Sequence, residues 1–198
     1  MEHTVLIMPG HGGTDSGVVA ADGTKEKDYV LEIGAYVVHQ LESMGLPDLK
    51  VVLGRMGDTE NPLAGRVRLS KTVSAQLVVE LHVDSFVGEA KPRGMNAYYY
   101  QGNQFTRNLT SEFVRNAPES MWVRGRKGRC AKPSTFPNAV AVLESYPMDA
   151  IVVEMGYFSN PADVERLHDP LVKAQMVMGL VQSVFAWKEE LNRITVCA

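Results

Sequence analysis

The chain of 198 residues lacks the features that would place it in several broad classes of protein. No stretch reaches the ~18 consecutive apolar residues of a membrane-spanning helix. The amino terminus shows no basic segment leading into an apolar one, so no export signal is visible. Only two cysteines are present, Cys130 and Cys197; one pair is no disulfide framework, and both are read as free thiols. Basic charge is in short supply as well, with 20 Lys and Arg against 23 Asp and Glu and a net charge of −3. That balance argues against a dedicated nucleic-acid partner. The one basic cluster, Arg124, Arg126, Lys127, Arg129 and Lys132, reads as a solvated loop or as a contact for carboxylates. What remains, 45% hydrophobic and 22% charged, is an ordinary globular composition with length for one substantial core.

The stretch from Leu6 to Glu26 organises the rest. Thr4–Met8 has the length and apolar character of a buried strand. Pro9 and Gly10 end it, and His11 follows on a backbone loosened by Gly10, Gly12 and Gly13. A helix is expected from near Lys25, with Val30, Ile33, Val37 and Leu41 as its core stripe. Glu26 then falls in its first turn, where a carboxylate is electrostatically favoured. Leu49–Leu53 predicts a second strand, Leu63–Ser74 a helix, and Leu77–Val83 a third strand with His82 at its carboxyl end. Gly94–Tyr100 predicts a fourth strand and Phe105–Asn116 a helix. Pro118–Asn138 reads as a long surface excursion, Ala139–Leu143 as a short strand, and Ala150–Glu154 as a strong strand ending in a carboxylate. Asn160–Asp163 has the composition of a helix start. A last helix from Leu171 to about Leu191 is expected to bury Val172, Met176, Leu180 and Phe185.

Strands alternating with helices predict an α/β fold: one domain over residues 1–198, its sheet mainly parallel and covered by helices on both faces. In such sheets functional groups gather at the carboxyl ends of the strands. His11, Glu26, His82 and Glu154 all fall on that edge or in the loops just past it. Two imidazoles and a carboxylate are a familiar ligand set for catalytic zinc, with a position left open for water. The metal makes that water acidic and polarises a carbonyl. A further carboxylate beside it takes the water's proton and passes it to a leaving amine. Glu154, ending an apolar strand, suits that role. The chemistry of the set is metal-assisted hydrolysis of an amide.

The stretch Met8-Pro9-Gly10-His11-Gly12-Gly13-Thr14-Asp15-Ser16-Gly17, followed by Gly23-Thr24-Lys25-Glu26-Lys27-Asp28, resembles the opening signature of zinc-dependent N-acetylmuramoyl-L-alanine amidases of the Amidase_3 type. The resemblance runs on through Arg55 and Arg66, Leu81-His82-Val83-Asp84-Ser85 and Gly94–Tyr100. It ends at Val152-Val153-Glu154-Met155-Gly156-Tyr157-Phe158-Ser159-Asn160-Pro161. It implies zinc held by His11, Glu26 and His82, Glu154 as general base, and a twisted, mostly parallel sheet of about six strands. The implied substrate is peptidoglycan, cut between the lactyl group of N-acetylmuramic acid and L-alanine of the stem peptide. The basic cluster would then meet stem-peptide carboxylates or acidic wall polymers.

The chain departs from the pattern in places. Where the family usually has Ser-Ile-His-x-Asn, this sequence has Glu80-Leu81-His82-Val83-Asp84; Asp84 is expected to tune the metal, orient a ligand or face solvent. Lys71-Thr72-Val73-Ser74 replaces the usual Ala-Asn pair. Arg66 and Arg68 are read as surface charges, and His3, His39 and His168 as incidental. Two rival functions share the fold: a zinc peptidase cutting within the stem peptide, and a cell-wall-binding module without activity. With no visible signal peptide, the enzyme is expected to be made in the cytoplasm and to reach the wall as a phage endolysin or by another bacterial route. The oligomeric state is left open.

Overall fold

Alternation along three neighbouring strands builds the core. In β1 (His3–Pro9), Val5 and Ile7 point into one apolar cluster and Leu6 and Met8 into another. β3 (Leu77–Asp84) sends Leu77, Val79 and Leu81 one way and Val78 the other; β6 (Asp149–Tyr157) divides Ile151 and Val153 from Ala150 and Val152 in the same manner. Strands buried on both faces read as continuous apolar runs, and such sheets need helices on each side. The computed structural model describes residues 2–88, 92–121, 129–131 and 137–196, with the backbone alone for 129–131, 137 and 194–196.

Between these strands lie α1 (Glu26–Ser43), β2 (Leu49–Leu53) and α2 (Leu63–Thr72), then β4 (Asn96–Tyr100), α3 (Gln104–Asn116), β5 (Arg129–Ala131) and α4 (Pro137–Ser145). α5 (Pro161–His168) and α6 (Pro170–Val196) follow β6. The sheet order is β2-β1-β3-β6-β4-β5. β2, β1, β3 and β6 run parallel, β4 is antiparallel to β6, and β5 is parallel to β4. α1, α3 and α6 supply Ile33, Phe113 and Leu180 to the larger cluster, while α4 supplies Val140 and Leu143 to the smaller. Asn103 and Asn160 cap α3 and α5, accepting from Thr106 N and Ala162 N, so the expected helix start at Asn160-Pro161 is where α5 begins.

Three expectations are corrected. Ala139–Leu143 is not a strand but the middle of α4; Ala139, Val140, Leu143 and Tyr146 are buried while Ala141 is exposed, a helical spacing that five apolar residues alone do not reveal. The sixth strand is instead β5, inside the expected surface excursion. In α6, Phe185 is 38% exposed, and Val184 and Trp187 take the core positions. Arg124, Arg126, Lys127, Lys132 and Cys197, and the side chains of Arg129 and Cys130, lie outside the described residues, so the readings of the basic cluster and the thiols do too. Among the described residues no helix is long and apolar enough to cross a membrane.

Candidate metal-binding active site

Parallel pairing brings the chemistry together. β1 and β3 are paired from Val5↔Leu77 to Pro9↔Leu81, and β3 and β6 from Leu77↔Asp149 to His82↔Glu154. His11, His82 and Glu154 therefore leave neighbouring strands on one edge. Gly10 N donates to Leu81 O at 2.9 Å, which keeps the loop against β3 past the last strand residue. A Cβ on Gly10 would run into the His82 ring, so this glycine serves close approach rather than a special backbone angle. His11 itself has φ 57°. A left-handed backbone at a residue other than glycine costs of order 1–3 kcal/mol and persists only where its surroundings enforce it.

The surroundings do so from beneath. Arg55 donates to Gly10 O at 3.2 Å, to Gly57 O and to Lys27 O. Asn61 Nδ2 donates to Pro9 O at 2.8 Å. Lys27, a buried cation, bridges Gly13 O and the Asp58 carboxylate at 2.8 and 2.6 Å, and Asp58 in turn accepts from Gly13 N. The loop caps α1 as well, since Glu26 N and Lys27 N donate to Val18 O and Ser16 O. Glu26 is thereby fixed at the first position of α1 with 2% exposure.

One oxygen of Glu26 is the focus. Oε1 lies 3.1 Å from His11 Nε2 and 3.0 Å from His82 Nδ1, and it accepts from Val83 N at 3.0 Å; Oε2 accepts from Val18 N at 2.9 Å. One ligand atom from each of His11, Glu26 and His82 lies within 4.8 Å of the others. Two ligands on one tetrahedral zinc are separated by about 3.4 Å, given bonds of about 2.1 Å. Two imidazole nitrogens and a carboxylate oxygen at this spacing fit such an ion.

Each imidazole is held from its far side. His11 Nδ1 meets Asp15 Oδ2 at 2.8 Å, and His82 Nε2 meets Glu80 Oε2 at 3.3 Å. Burial opposes protonation of both rings, yet the facing carboxylates prevail: His11 titrates above the usual histidine value and His82 is held up to about 10. Burial likewise works to raise Glu26, and the two imidazoles bring it down to about 2.

Glu154 has a different environment. Desolvation pushes its carboxyl up to about 8; the His82 charge works against this, while Asp84 and Glu26 add to it. Its Oε2 is buried without a hydrogen-bond partner among the described residues. The cleft around these groups has a volume of about 560 Å³ and is open to Asp15, Asp84 and Ser85 at its rim and to Asn138 and Val142 of α4. Asp84 does not simply face solvent. It is half-buried, burial raises its carboxyl, and Tyr157 hydrogen-bonds to it.

Arg66 is not a surface charge. It is 8% exposed, and its Nη1 stands 2.6 Å from Oε2 of Glu80, which has no exposure at all. Tyr146 donates its hydroxyl to the other Glu80 oxygen. Arg68 is exposed, as expected. No sequence pattern assigns a role to Glu80, Lys27, Asp58 or Asn61; a charged residue inside an apolar strand is the one available signal, and it points to Glu80. His3 packs against Trp187, and His168 pairs with Asp22 at 2.9 Å; neither lines the cleft.

The molecule is an α/β protein with a His–Glu–His cluster at the carboxyl edge of its sheet, able to hold a metal ion. Residues 5–186 match the family model Amidase_3, N-acetylmuramoyl-L-alanine amidase. The chain is similar to the N-acetylmuramoyl-L-alanine amidase AmiC2 of Nostoc punctiforme, with 30% identity, a TM-score of 0.79, and 94% of this chain and 97% of that one covered. It is similar to the N-acetylmuramoyl-L-alanine amidase of Clostridium difficile 630, with 25% identity, a TM-score of 0.81 and coverage of 95% and 97%. It is also 28% identical to the probable cell wall amidase LytH of Staphylococcus aureus, over 89% of this chain and 57% of LytH. The chain belongs to the Amidase_3 family of N-acetylmuramoyl-L-alanine amidases, and it is an enzyme of the peptidoglycan amidase kind.

Proposed function

We propose that this protein is a zinc-dependent amidase, acting as a single catalytic unit, that cleaves the bond between N-acetylmuramic acid and L-alanine of the stem peptide in the cell wall. The observation that carries this reading is the convergence of His11, Glu26 and His82 within 4.8 Å beside a desolvated Glu154 in one open cleft. His11 Nε2, Glu26 Oε1 and His82 Nδ1 would hold the ion. When bound, zinc supplies a Lewis acid for the scissile carbonyl and acidity for water.

The chain's own residues do the rest. Asp15 accepts a hydrogen bond from Nδ1–H of His11, which leaves Nε2 free as a ligand. Val18 N and Val83 N fix the Glu26 carboxylate by one hydrogen bond to each oxygen. Glu154 takes a proton from the attacking water and delivers it to the leaving nitrogen of L-alanine. In the metal-free protein burial holds its carboxyl up, and a group titrating near working pH both accepts and releases a proton readily. The cleft is open along the sheet edge, as a polymeric substrate requires.

Digestion of purified sacculi by the zinc-loaded protein tests this. New amino termini of L-alanine without new reducing sugars are expected. Termini of D-alanine or of a diamino acid would make it a stem peptidase, and no release at all would make it a wall-binding module. Glu154→Gln should lower hydrolysis by about 10²–10⁴-fold while zinc content is retained.

A further inference from the structure

We infer that Glu80 is a positioning residue for the metal site: a buried carboxylate, clamped by Arg66 and Tyr146, that accepts a hydrogen bond from Nε2–H of His82 and so presents Nδ1 as the metal-binding nitrogen. This rests on the reading of His82 as a zinc ligand.

Glu80 and His82 are separated by one residue in β3, so their side chains share a face of the sheet. Glu80 is completely buried. An unpartnered carboxylate there would be expelled or neutralised, because burying an isolated charge is very costly. Its partners are therefore informative. Oε1 accepts from the Tyr146 hydroxyl, while Oε2 is shared by Arg66 Nη1 at 2.6 Å and His82 Nε2 at 3.3 Å. Arg66 is anchored in turn, its Nε donating to Asn61 O at 3.1 Å. Asn61 is the residue that holds Pro9 O beneath the His11 loop. One connected set of hydrogen bonds thus runs from the His82 ring to the backbone that leads into His11.

A pair such as Arg66 and Glu80 need not do anything beyond filling the core, since apolar residues of equal volume often serve stability as well or better. The position of His82 sets this pair apart. An imidazole that binds a metal through one nitrogen carries its proton on the other, and the partner of that second nitrogen selects the tautomer and fixes the ring plane. Nδ1 of His82 faces Glu26, and Nε2 faces Glu80. The arginine holds the carboxylate oxygen in place at 2.6 Å, and a charged acceptor makes the stronger hydrogen bond.

The test replaces the pair by apolar residues of similar volume, Arg66→Met with Glu80→Leu, so that no charge is left buried alone. Zinc affinity is read by chelator competition, and the His82 ring by ¹⁵N NMR of the zinc-loaded protein. Zinc binding is expected to weaken by roughly 10–100-fold, and the Nε2–H signal to lose its hydrogen-bonded position. Glu80→Gln provides a second variant with the shape of the site kept. Its single oxygen replaces two that served three donors, and a smaller loss with a displacement of the ring signal in the same direction is expected. Affinities within about twofold of wild type with ring signals unmoved would overturn the proposal and leave Glu80 a structural residue. His82→Ala separates this from failure of the site itself. If that variant binds zinc as wild type does, the ligand assignment is wrong; if it loses zinc while both Glu80 replacements keep it, only the role of Glu80 is wrong.

Discussion

A Cβ placed on Gly17 would stand 2.5 Å from Oε2 of Glu26 and 2.7 Å from Cδ2 of His11. Gly17 thus fills a place that a side chain would take from Glu26 and His11, the proposed ligands. Its φ of 63° adds a backbone reason for glycine, since a left-handed residue with a Cβ costs about 1–2 kcal/mol.

Gly23 separates the two effects. It has φ 90° and nothing within 4 Å of its would-be Cβ. Both Gly17→Ala and Gly23→Ala should destabilise the fold through the backbone. Only Gly17→Ala should also weaken zinc binding, by roughly tenfold or more. Thermal melts in chelator and zinc titrations of the two variants decide the matter; equal zinc affinities would show that the loop gives way without moving Glu26 or His11.

Arg66 and Arg68 make a second contrast on one short helix. Removing Arg66 leaves Glu80 charged and buried, and breaking a buried pair from one side typically costs about 3–5 kcal/mol. Arg68→Ala, at an exposed position, should fall within about 0.5 kcal/mol of wild type. Urea unfolding of Arg66→Ala and Arg68→Ala checks both values.

The same two arginines show where sequence reading stops. Parallel strands, their order of chemical groups and the ligand candidates were legible because apolar runs and glycine–proline punctuation are local signals. His11, His82 and Glu154 fall on one edge for a reason contained in that alternation. Arg66 and Arg68 differ by half a turn of helix, and only the packing of α2 over β3 decides which one is enclosed with Glu80. Ala139–Leu143 failed for a related reason. Five apolar residues satisfy strand and helix alike, and the facing of Val140 and Leu143 toward Leu6 and Val152 is a tertiary fact. The supports of the His11 loop lie 14 to 52 residues away in sequence, beyond the reach of any local pattern.

Zinc should stabilise the folded chain by mass action. At free metal about a thousandfold above its dissociation constant, a single site adds about 4 kcal/mol. Calorimetric melts with and without zinc are expected to show the rise in wild type and to lose it in His82→Ala and Glu26→Ala. An equal rise in all three would place the bound metal elsewhere.

Glu154 gives the chain a pH dependence whose sign follows from its surroundings. In the folded protein its carboxyl is pushed up to about 8 from an ordinary value of 4.5. Between those values the folded state holds a proton that the unfolded chain has released. The associated stability is complete below pH 4.5 and is lost as pH rises through 8. Glu154→Gln keeps the shape of the protonated acid but cannot ionise, so it escapes this loss. The stability of Glu154→Gln relative to wild type should therefore grow as pH is raised from 5 to 8, with a limiting slope of about 1.4 kcal/mol per pH unit, and level off above. Urea unfolding in chelator across pH 5–9 measures it, and groups common to both proteins largely cancel in the difference. A difference that stays flat over that range would mean that water reaches the Glu154 carboxyl, and a solvated carboxylate of ordinary pKa would be a poor acid for the leaving amine.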